Sequence, residues 1–149
     1  MHTEPHRPTG LAHISLAVAD AEKTAARYQA ILGAVVRWRE TLAERGLLVV
    51  FLDVAGVPLE LVQPLDPGDE SNPVARFLRR HGEGIHHLAF AVPDAAAAVA
   101  HARAAGAESV DPEPRPGAHG TRVAFLHPRS TAGALVEFVE GDDPHRREG

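Results

Sequence analysis

Large apolar side chains alternate with polar or small ones along two stretches of the chain, at positions 12–18 and 86–92. Alternation with a period of two is typical of a strand that has one buried face. Each stretch is followed by an aspartate, an alanine-rich run and a glycine, which favour a helix N-cap, a helix and a helix end. The aspartates are Asp20 and Asp94, and the glycines are Gly33 and Gly106. The pattern therefore predicts a strand followed by a helix in each place.

The two stretches belong to an internal repeat, because positions 12–18 match positions 86–92 at an offset of 74 residues. Three further strand-like runs follow in each copy. They cover 35–41, 47–54 and 58–62 in the first copy, and 108–111, 121–126 and 134–139 in the second. Each copy is therefore predicted to form a βαβββ module. A sheet with one helix buries only one face well, so we expect an α+β fold in which the two modules pair as a half-open barrel.

The length of the chain also fits this organisation, since 149 residues are usual for one domain. We expect one domain at 11–140, with modules at 11–64 and 85–140 and a linker at 65–84 that carries a short helix at 74–81. The polar, proline-containing ends at 1–10 and 141–149 are predicted to be flexible tails.

Composition and charge argue against several classes of protein. Hydrophobic residues make up 44% and charged residues 23%, as in a folded globular protein. The net charge of −5 and the lack of a long basic run argue against a nucleic-acid partner. The sequence has no long apolar stretch and no signal-peptide pattern, so we expect no membrane partner and a cytoplasmic location. With no cysteine, a metal must be bound through nitrogen and oxygen.

Two histidines and two glutamates recur at equivalent positions of the repeat. His13 and His87 lie on strand faces that they share with small residues. Glu60 and Glu137 lie in the last strand of each module, on the face opposite large apolar neighbours. A single histidine or glutamate in a strand is more often structural than a ligand. Because both residue types recur, and because imidazoles and carboxylates suit divalent cations, the pattern favours a metal site between the predicted sheets.

The paired modules, each with a histidine near its start and a glutamate near its end, resemble the vicinal oxygen chelate, or glyoxalase-like, superfamily. Within it, the sequence is similar to the methylmalonyl-CoA epimerases. The resemblance extends from Leu11 to Glu140. It is most specific at 82–87, which reads GEGIHH, and at 113–128, which reads EPRPGAHGTRVAFLHP.

The resemblance implies an enzyme that interconverts (R)- and (S)-methylmalonyl-CoA through an enolate stabilised by a bound metal. It also implies the metal ligands, which are His13, Glu60, His87 and Glu137. Co²⁺ is the expected metal, with Ni²⁺, Zn²⁺ or Mn²⁺ as alternatives. His86 should point away from the site, because side chains alternate along a strand. The partners implied are an acyl-CoA substrate and a second copy of the chain, as a homodimer.

Inversion of a carbon centre requires an acid or base on each face of the planar intermediate. Some epimerases carry a second glutamate in the strand after the turn, and the corresponding residue here is Val49, which cannot transfer a proton. Glu44, in the preceding turn, is one alternative. The resemblance to glyoxalase I, in which metal-bound glutamates act as bases, favours Glu60 and Glu137 as the catalytic pair.

Substrate contacts are expected from the second specific segment and from arginines, since CoA carries phosphates. The residues proposed to bind substrate are His119, His127, Ser130 and Arg115. Other arginines that could contact CoA are Arg76, Arg79, Arg80, Arg122 and Arg129. A structural or solvated role is the alternative for each of these side chains.

Three rival functions remain open at this point. A glyoxalase I-type isomerase or lyase would use the same ligands, whereas the segments PGAHG and LHP favour the epimerase. A non-catalytic ligand-binding protein of the resistance type usually lacks the metal ligands. A ring-cleaving dioxygenase needs two histidines and one carboxylate, and it commonly spans a longer chain.

Overall fold

The computed structural model describes residues 4–141. Within that range the chain divides into two compact units, residues 13–86 and residues 4–12 together with 87–141. The pairing of the two modules within a single domain, with a linker at 65–84, stays a prediction.

The flexibility predicted for the two ends also stays a prediction. Positions 1–3 and 142–149 lie outside the described residues. Just before the first strand, the amide of Thr9 donates a hydrogen bond to the carbonyl of Ala91 at 2.8 Å. Residues 4–12 are therefore tied to residues 87–141, with which they form one compact unit.

The first module has the predicted βαβββ order. Its elements are β1 (Gly10–Ala17), α1 (Ala21–Leu32), β2 (Val35–Leu42), β3 (Leu47–Val54) and β4 (Val57–Pro64). The strand order is β2-β3-β4-β1, in which β1 runs parallel to β4 and β3 is antiparallel to both of its neighbours. The first and last strands of the module therefore lie side by side.

The linker helix and the second module follow. Their elements are α2 (Pro73–His81), β5 (Gly84–Ala91), α3 (Ala95–Ala104), β6 (Arg115–Pro116), β7 (Arg122–Leu126) and β8 (Val136–Glu140). The strand order β5-β8-β7-β6, with β5 parallel to β8, repeats the arrangement of the first module.

One strand of the second module was predicted in the wrong place. At 108–111 the structure has a single bridge, between Ser109 and Leu126, which is flanked by backbone hydrogen bonds from Val110 to Phe125 and from His127 to Glu108. The strand that pairs with β7 is β6. The segment around β6 contains Pro112, Pro114 and Pro116. Proline has no N–H to donate to a ladder, so this strand stays very short.

Capping residues define the two long helices as the sequence predicts. The side chain of Asp20 accepts a hydrogen bond from the amide of Lys23, and that of Asp94 accepts one from Ala97, each at 3.0 Å. α1 ends at Gly33, whose φ of 66° is a conformation that glycine adopts without strain. None of the helices within residues 4–141 combines the length and the apolar character that a membrane span requires.

Each helix packs against one face of its own sheet. In the first module, Ala21 and Ala25 are buried against Val50, Leu52 and Leu61. The corresponding cluster of the second module includes Val92, Ala95, Ala98, Val99, Ala124 and Phe138. The small alanine side chains let each helix lie close to its sheet, which leaves the other sheet face for the candidate site.

Candidate metal and active site

The first histidine–glutamate pair joins the two parallel strands of the first module. His13 on β1 and Glu60 on β4 approach with Nε2 and Oε1 3.6 Å apart. Their exposed fractions are 5% and 6%. The ring of Phe51 lies across from Glu60 and meets the His13 ring edge-on, with centroids 6.4 Å apart. A pair of polar side chains is therefore held on the sheet face opposite α1, beside an aromatic wall.

The second pair repeats this arrangement on β5 and β8. His87 Nε2 lies 3.0 Å from Glu137 Oε1, and the two side chains are 6% and 4% exposed. Phe125, in register with Glu137, meets the His87 ring edge-on with centroids 5.2 Å apart. The two modules thus present the same three residue types in the same local arrangement.

The chemistry of these donors fits a divalent cation. His13, His87 and Glu137 are candidate metal ligands, each buried and each offering one ligand atom. Burial of a carboxylate is costly unless it is paired or bound to a cation. Neutral imidazole and carboxylate together suit borderline cations such as Zn²⁺, Co²⁺ and Ni²⁺.

His86 is turned away from its neighbour His87, as strand alternation predicts. Its ring meets that of Phe77 on α2 edge-on, with centroids 5.1 Å apart. A cavity of about 820 Å³ in the first unit is lined by Leu16, Val18 and residues of α1, and so it opens on the helix side of β1. None of the predicted site residues lines this cavity.

The first module carries one acidic residue that the sequence reasoning missed. Glu40 on the edge strand β2 is in register with Val49, so it lies on the same sheet face. It is half-buried, and Trp38 Nε1 donates a hydrogen bond to its Oε1 at 3.3 Å. Glu44, in contrast, is exposed in the short 3₁₀ turn Ala43–Arg45. The hairpin turn at Gly46 could have indicated that Glu40 pairs with Val49.

The segment at 113–130 contains a strained turn. His119 has a φ of 56°, a left-handed conformation that is costly for a residue other than glycine. A Cβ atom on Gly117 would lie 2.7 Å from Val123 and 2.8 Å from Thr121, so only glycine fits there. The two features fix the path of the chain through this turn.

The other residues predicted to bind substrate already have partners within the fold. Arg115 forms an ion pair with Asp111 at 3.3 Å. The Nδ1 atom of His127 accepts a hydrogen bond from the amide of Arg129, and Ser130 Oγ accepts one from the amide of Glu108. These side chains therefore stabilise the loops on either side of β7.

Three of the arginines predicted for CoA also have structural partners. Arg129 forms an ion pair with Glu108 at 3.3 Å. On α2, Arg76 donates to the carbonyl of Glu70 at 3.1 Å, and Arg79 donates to that of Pro67 at 3.0 Å. Both bonds hold the turn that precedes the helix. Arg80 and Arg122 are exposed.

Comparisons with known proteins identify the family. A model of the glyoxalase/bleomycin resistance protein/dioxygenase superfamily matches residues 12–125. The human mitochondrial methylmalonyl-CoA epimerase is 40% identical over 131 residues, which cover 87% of this chain and 73% of that protein. An ethylmalonyl-CoA/methylmalonyl-CoA epimerase of Cereibacter sphaeroides is 40% identical over 132 residues, which cover 87% of this chain and 96% of that protein.

Solved structures agree with the sequence matches. The methylmalonyl-CoA epimerase of Mycobacterium tuberculosis superimposes with a TM-score of 0.84 at 33% identity, over 95% of this chain and 93% of that one. A variant of the Streptomyces coelicolor methylmalonyl-CoA epimerase, in complex with 2-nitronate-propionyl-CoA, superimposes with a TM-score of 0.82 at 33% identity, over 91% and 96%. The predicted fold class is thereby confirmed. The chain belongs to the glyoxalase/bleomycin resistance protein/dioxygenase superfamily, in which its relatives include methylmalonyl-CoA epimerases.

Proposed function

We propose that this chain is a methylmalonyl-CoA epimerase, which interconverts (R)- and (S)-methylmalonyl-CoA. The observation that carries the proposal is the buried histidine–glutamate pair at repeat-related positions of both modules, His13 with Glu60 and His87 with Glu137. Two epimerases that are each 40% identical to this chain support it. The Streptomyces coelicolor relative, whose structure contains 2-nitronate-propionyl-CoA, also supports the proposal.

The proposed reaction removes the proton from the carbon between the thioester and the carboxylate, and it returns a proton to the opposite face. We assign one transfer to Glu60 and the other to Glu137. Both are buried, so few water molecules compete with the substrate for the proton. An oxygen that donates to a cation is a weak base, so a carboxylate that held an ion would have to release it before accepting a proton.

We propose that His13, Glu60, His87 and Glu137 hold one divalent ion per chain. Bound there, the ion would supply Lewis-acid stabilisation for the negative charge on the thioester oxygen of the enolate. The nitrogen and oxygen donors accept several borderline cations, and we propose Co²⁺ ahead of Ni²⁺, Zn²⁺ and Mn²⁺.

The segment at 113–130 is proposed to contact the substrate. Within it, the strained conformation at His119 is typical of a residue held in place for binding. Arg115, His127 and Ser130 would have to exchange their present partners for the substrate, and their role in binding rests on the family resemblance alone.

The decisive experiment measures deuterium exchange in D₂O by mass spectrometry, with the metal-loaded protein and two substrates. We expect exchange at the central carbon of methylmalonyl-CoA, accompanied by loss of optical purity. We expect no isomerisation of the adduct of methylglyoxal and glutathione. Turnover of the adduct alone would show a glyoxalase I-type enzyme instead. Binding of either compound without exchange or turnover would show a non-catalytic binding protein.

A further inference from the structure

Ser15 is a buried polar residue to which neither the sequence motifs nor the proposed metal site gives a role. It lies in the middle of β1 and is 0% exposed. Its hydroxyl makes no hydrogen bond to any of the residues that the structure describes. A buried hydroxyl without a partner costs stability, so a native protein that keeps one generally uses it.

The position of Ser15 restricts what that use can be. It lies two residues from His13 on the same strand, so both side chains are on the sheet face opposite α1. Across the parallel ladder, Ser15 is in register with Glu60 on β4. Side chains in register on neighbouring strands are next to each other on one face. The acidic side chain beside the Ser15 hydroxyl is therefore Glu60.

The internal repeat supplies a built-in comparison. The residue equivalent to Ser15 in the second module is Ala89, which is also 0% exposed and is in register with Glu137. The two modules thus place the same histidine and glutamate on the same strands, but only the first adds a hydroxyl beside the glutamate. A buried alanine fills this position in the second module, so packing alone does not require the serine oxygen.

We propose that Ser15 is a positioning residue for Glu60, and that its hydroxyl donates a hydrogen bond to the Glu60 carboxylate during turnover. The inference rests on the proposed function. A carboxylate has lone pairs for several donors, so one oxygen can be held by the hydroxyl while the other accepts the substrate proton. The bond fixes the orientation of the base, and proton transfer depends strongly on that orientation.

The same bond distinguishes the two faces of the reaction. Glu60 has a hydroxyl beside it and Glu137 has a methyl group, so the two carboxylates do not have equivalent surroundings. Different surroundings for two carboxylates are how one fold assigns them different steps in acid–base catalysis. Ser15 therefore affects the proton transfer on one face of the substrate and leaves the transfer on the other face unchanged.

The first test uses stability, which does not depend on activity or on metal. Ser15→Ala removes an oxygen that has no partner in the fold, so the Tm of the metal-free variant should equal or exceed that of the wild type. The contrasting variant is Thr121→Val, which removes a buried hydroxyl that donates to the Ala118 carbonyl at 2.6 Å. Its Tm should fall. A fall for Ser15→Ala as large as that for Thr121→Val would show that the Ser15 hydroxyl is structural, and the proposal would be wrong.

The second test measures initial rates of deuterium exchange with (R)- and (S)-methylmalonyl-CoA separately. Ser15→Ala should slow exchange of one isomer by at least about tenfold, because it removes one hydrogen bond to a charged group, and KM should be unchanged. Exchange of the other isomer should stay within about twofold of the wild type. The mirrored variant Ala89→Ser adds a hydroxyl beside Glu137, and it should change the rate for the other isomer.

The outcomes separate this inference from the proposed function. If the wild-type protein exchanges neither isomer, the proposed function fails and takes the role of Ser15 with it. If the wild type exchanges both isomers and Ser15→Ala matches it, only the role of Ser15 fails. Equal slowing of both isomers by Ser15→Ala would also overturn the inference, since a general disturbance of the site has no preference between faces.

Discussion

His87 Nε2 lies 3.0 Å from Glu137 Oε1, and the atoms at the repeat-related positions, His13 Nε2 and Glu60 Oε1, lie 3.6 Å apart. In each module the histidine is on the first strand and the glutamate on the last, and these two strands pair in parallel. The parallel pairing brings together residues that are far apart in the chain. The same local arrangement of strands, present in both modules, therefore produces both pairs.

Metal binding should depend on the histidine of each module. His13→Ala and His87→Ala should each purify with less than stoichiometric metal, because each removes a buried imidazole ligand. Metal content measured by inductively coupled plasma mass spectrometry should be about one ion per chain in the wild type. His86→Ala is the matched control, since its ring packs against Phe77, and it should keep the metal. Full metal content in both ligand variants would contradict the assignment.

Glu60→Gln should separate the ligand role of Glu60 from its role as a base. Glutamine still offers an oxygen to a metal but accepts no proton from the substrate. We expect the variant to keep its metal, to lose epimerisation, and to exchange the proton of one isomer only. Exchange of the separate isomers, followed by mass spectrometry, provides the measurement.

The half-buried Glu40 offers a direct comparison with Glu60. Under the proposed mechanism, Glu40→Gln should epimerise at a rate within about twofold of the wild type. If Glu60→Gln keeps near wild-type activity while Glu40→Gln loses exchange of one isomer, the second base is the carboxylate opposite Val49. Glu44→Gln changes an exposed carboxylate in the turn before β3, and under the proposed mechanism it should also leave the rate of epimerisation unchanged.

The core of the first module should be sensitive to loss of volume at Leu61. This residue is fully buried between α1 and the sheet, so Leu61→Ala should lower the free energy of unfolding by about 2–5 kcal/mol. Leu65→Ala makes the same chemical change at a residue that is 47% exposed, and it should cost about 0.5 kcal/mol or less. Urea denaturation of the two variants tests the difference, and equal losses would contradict the packing described here.

The turn at Gly117 should tolerate no side chain. Gly117→Ala places a Cβ atom 2.7 Å from Val123 Cγ1, so the turn that carries His119 must shift. We expect a raised KM for methylmalonyl-CoA and a lowered Tm. Gly84→Ala is the control, because a Cβ atom there has no neighbour within 4 Å. Steady-state kinetics in which the two variants behave alike would rule out a role for this turn in binding.

We propose that the protein is a homodimer, since the sheet edge and helix end of the first module carry apolar side chains at the surface. Ile31, Leu32 and Val35 are 57%, 53% and 48% exposed. Burial of such groups favours association. Sedimentation at micromolar concentration should show a species of twice the chain mass. A single species near 15.9 kDa would contradict the dimer.

The sequence alone was sufficient for the elements of the first module, for all but one strand of the second, and for the histidines and glutamates of the site. Strand alternation placed His13 and Ser15 on one face, and Asp20 and Gly33 bounded α1, because these features depend only on neighbouring residues. The same reasoning placed β6 wrongly. Prolines lack the N–H group that a ladder needs, and the periodicity of apolar residues does not show where a ladder is interrupted.

Only the tertiary structure decided which side chains meet across strands. The register that sets Ser15 beside Glu60, and Glu40 beside Val49, is formed between segments distant in the chain. Local periodicity fixes the face of a residue, but it leaves the register open by steps of two residues. For the same reason, the structural partners of Arg76 and Arg79 could not be read from the sequence, because each arginine reaches a carbonyl whose position depends on how the turn before α2 folds.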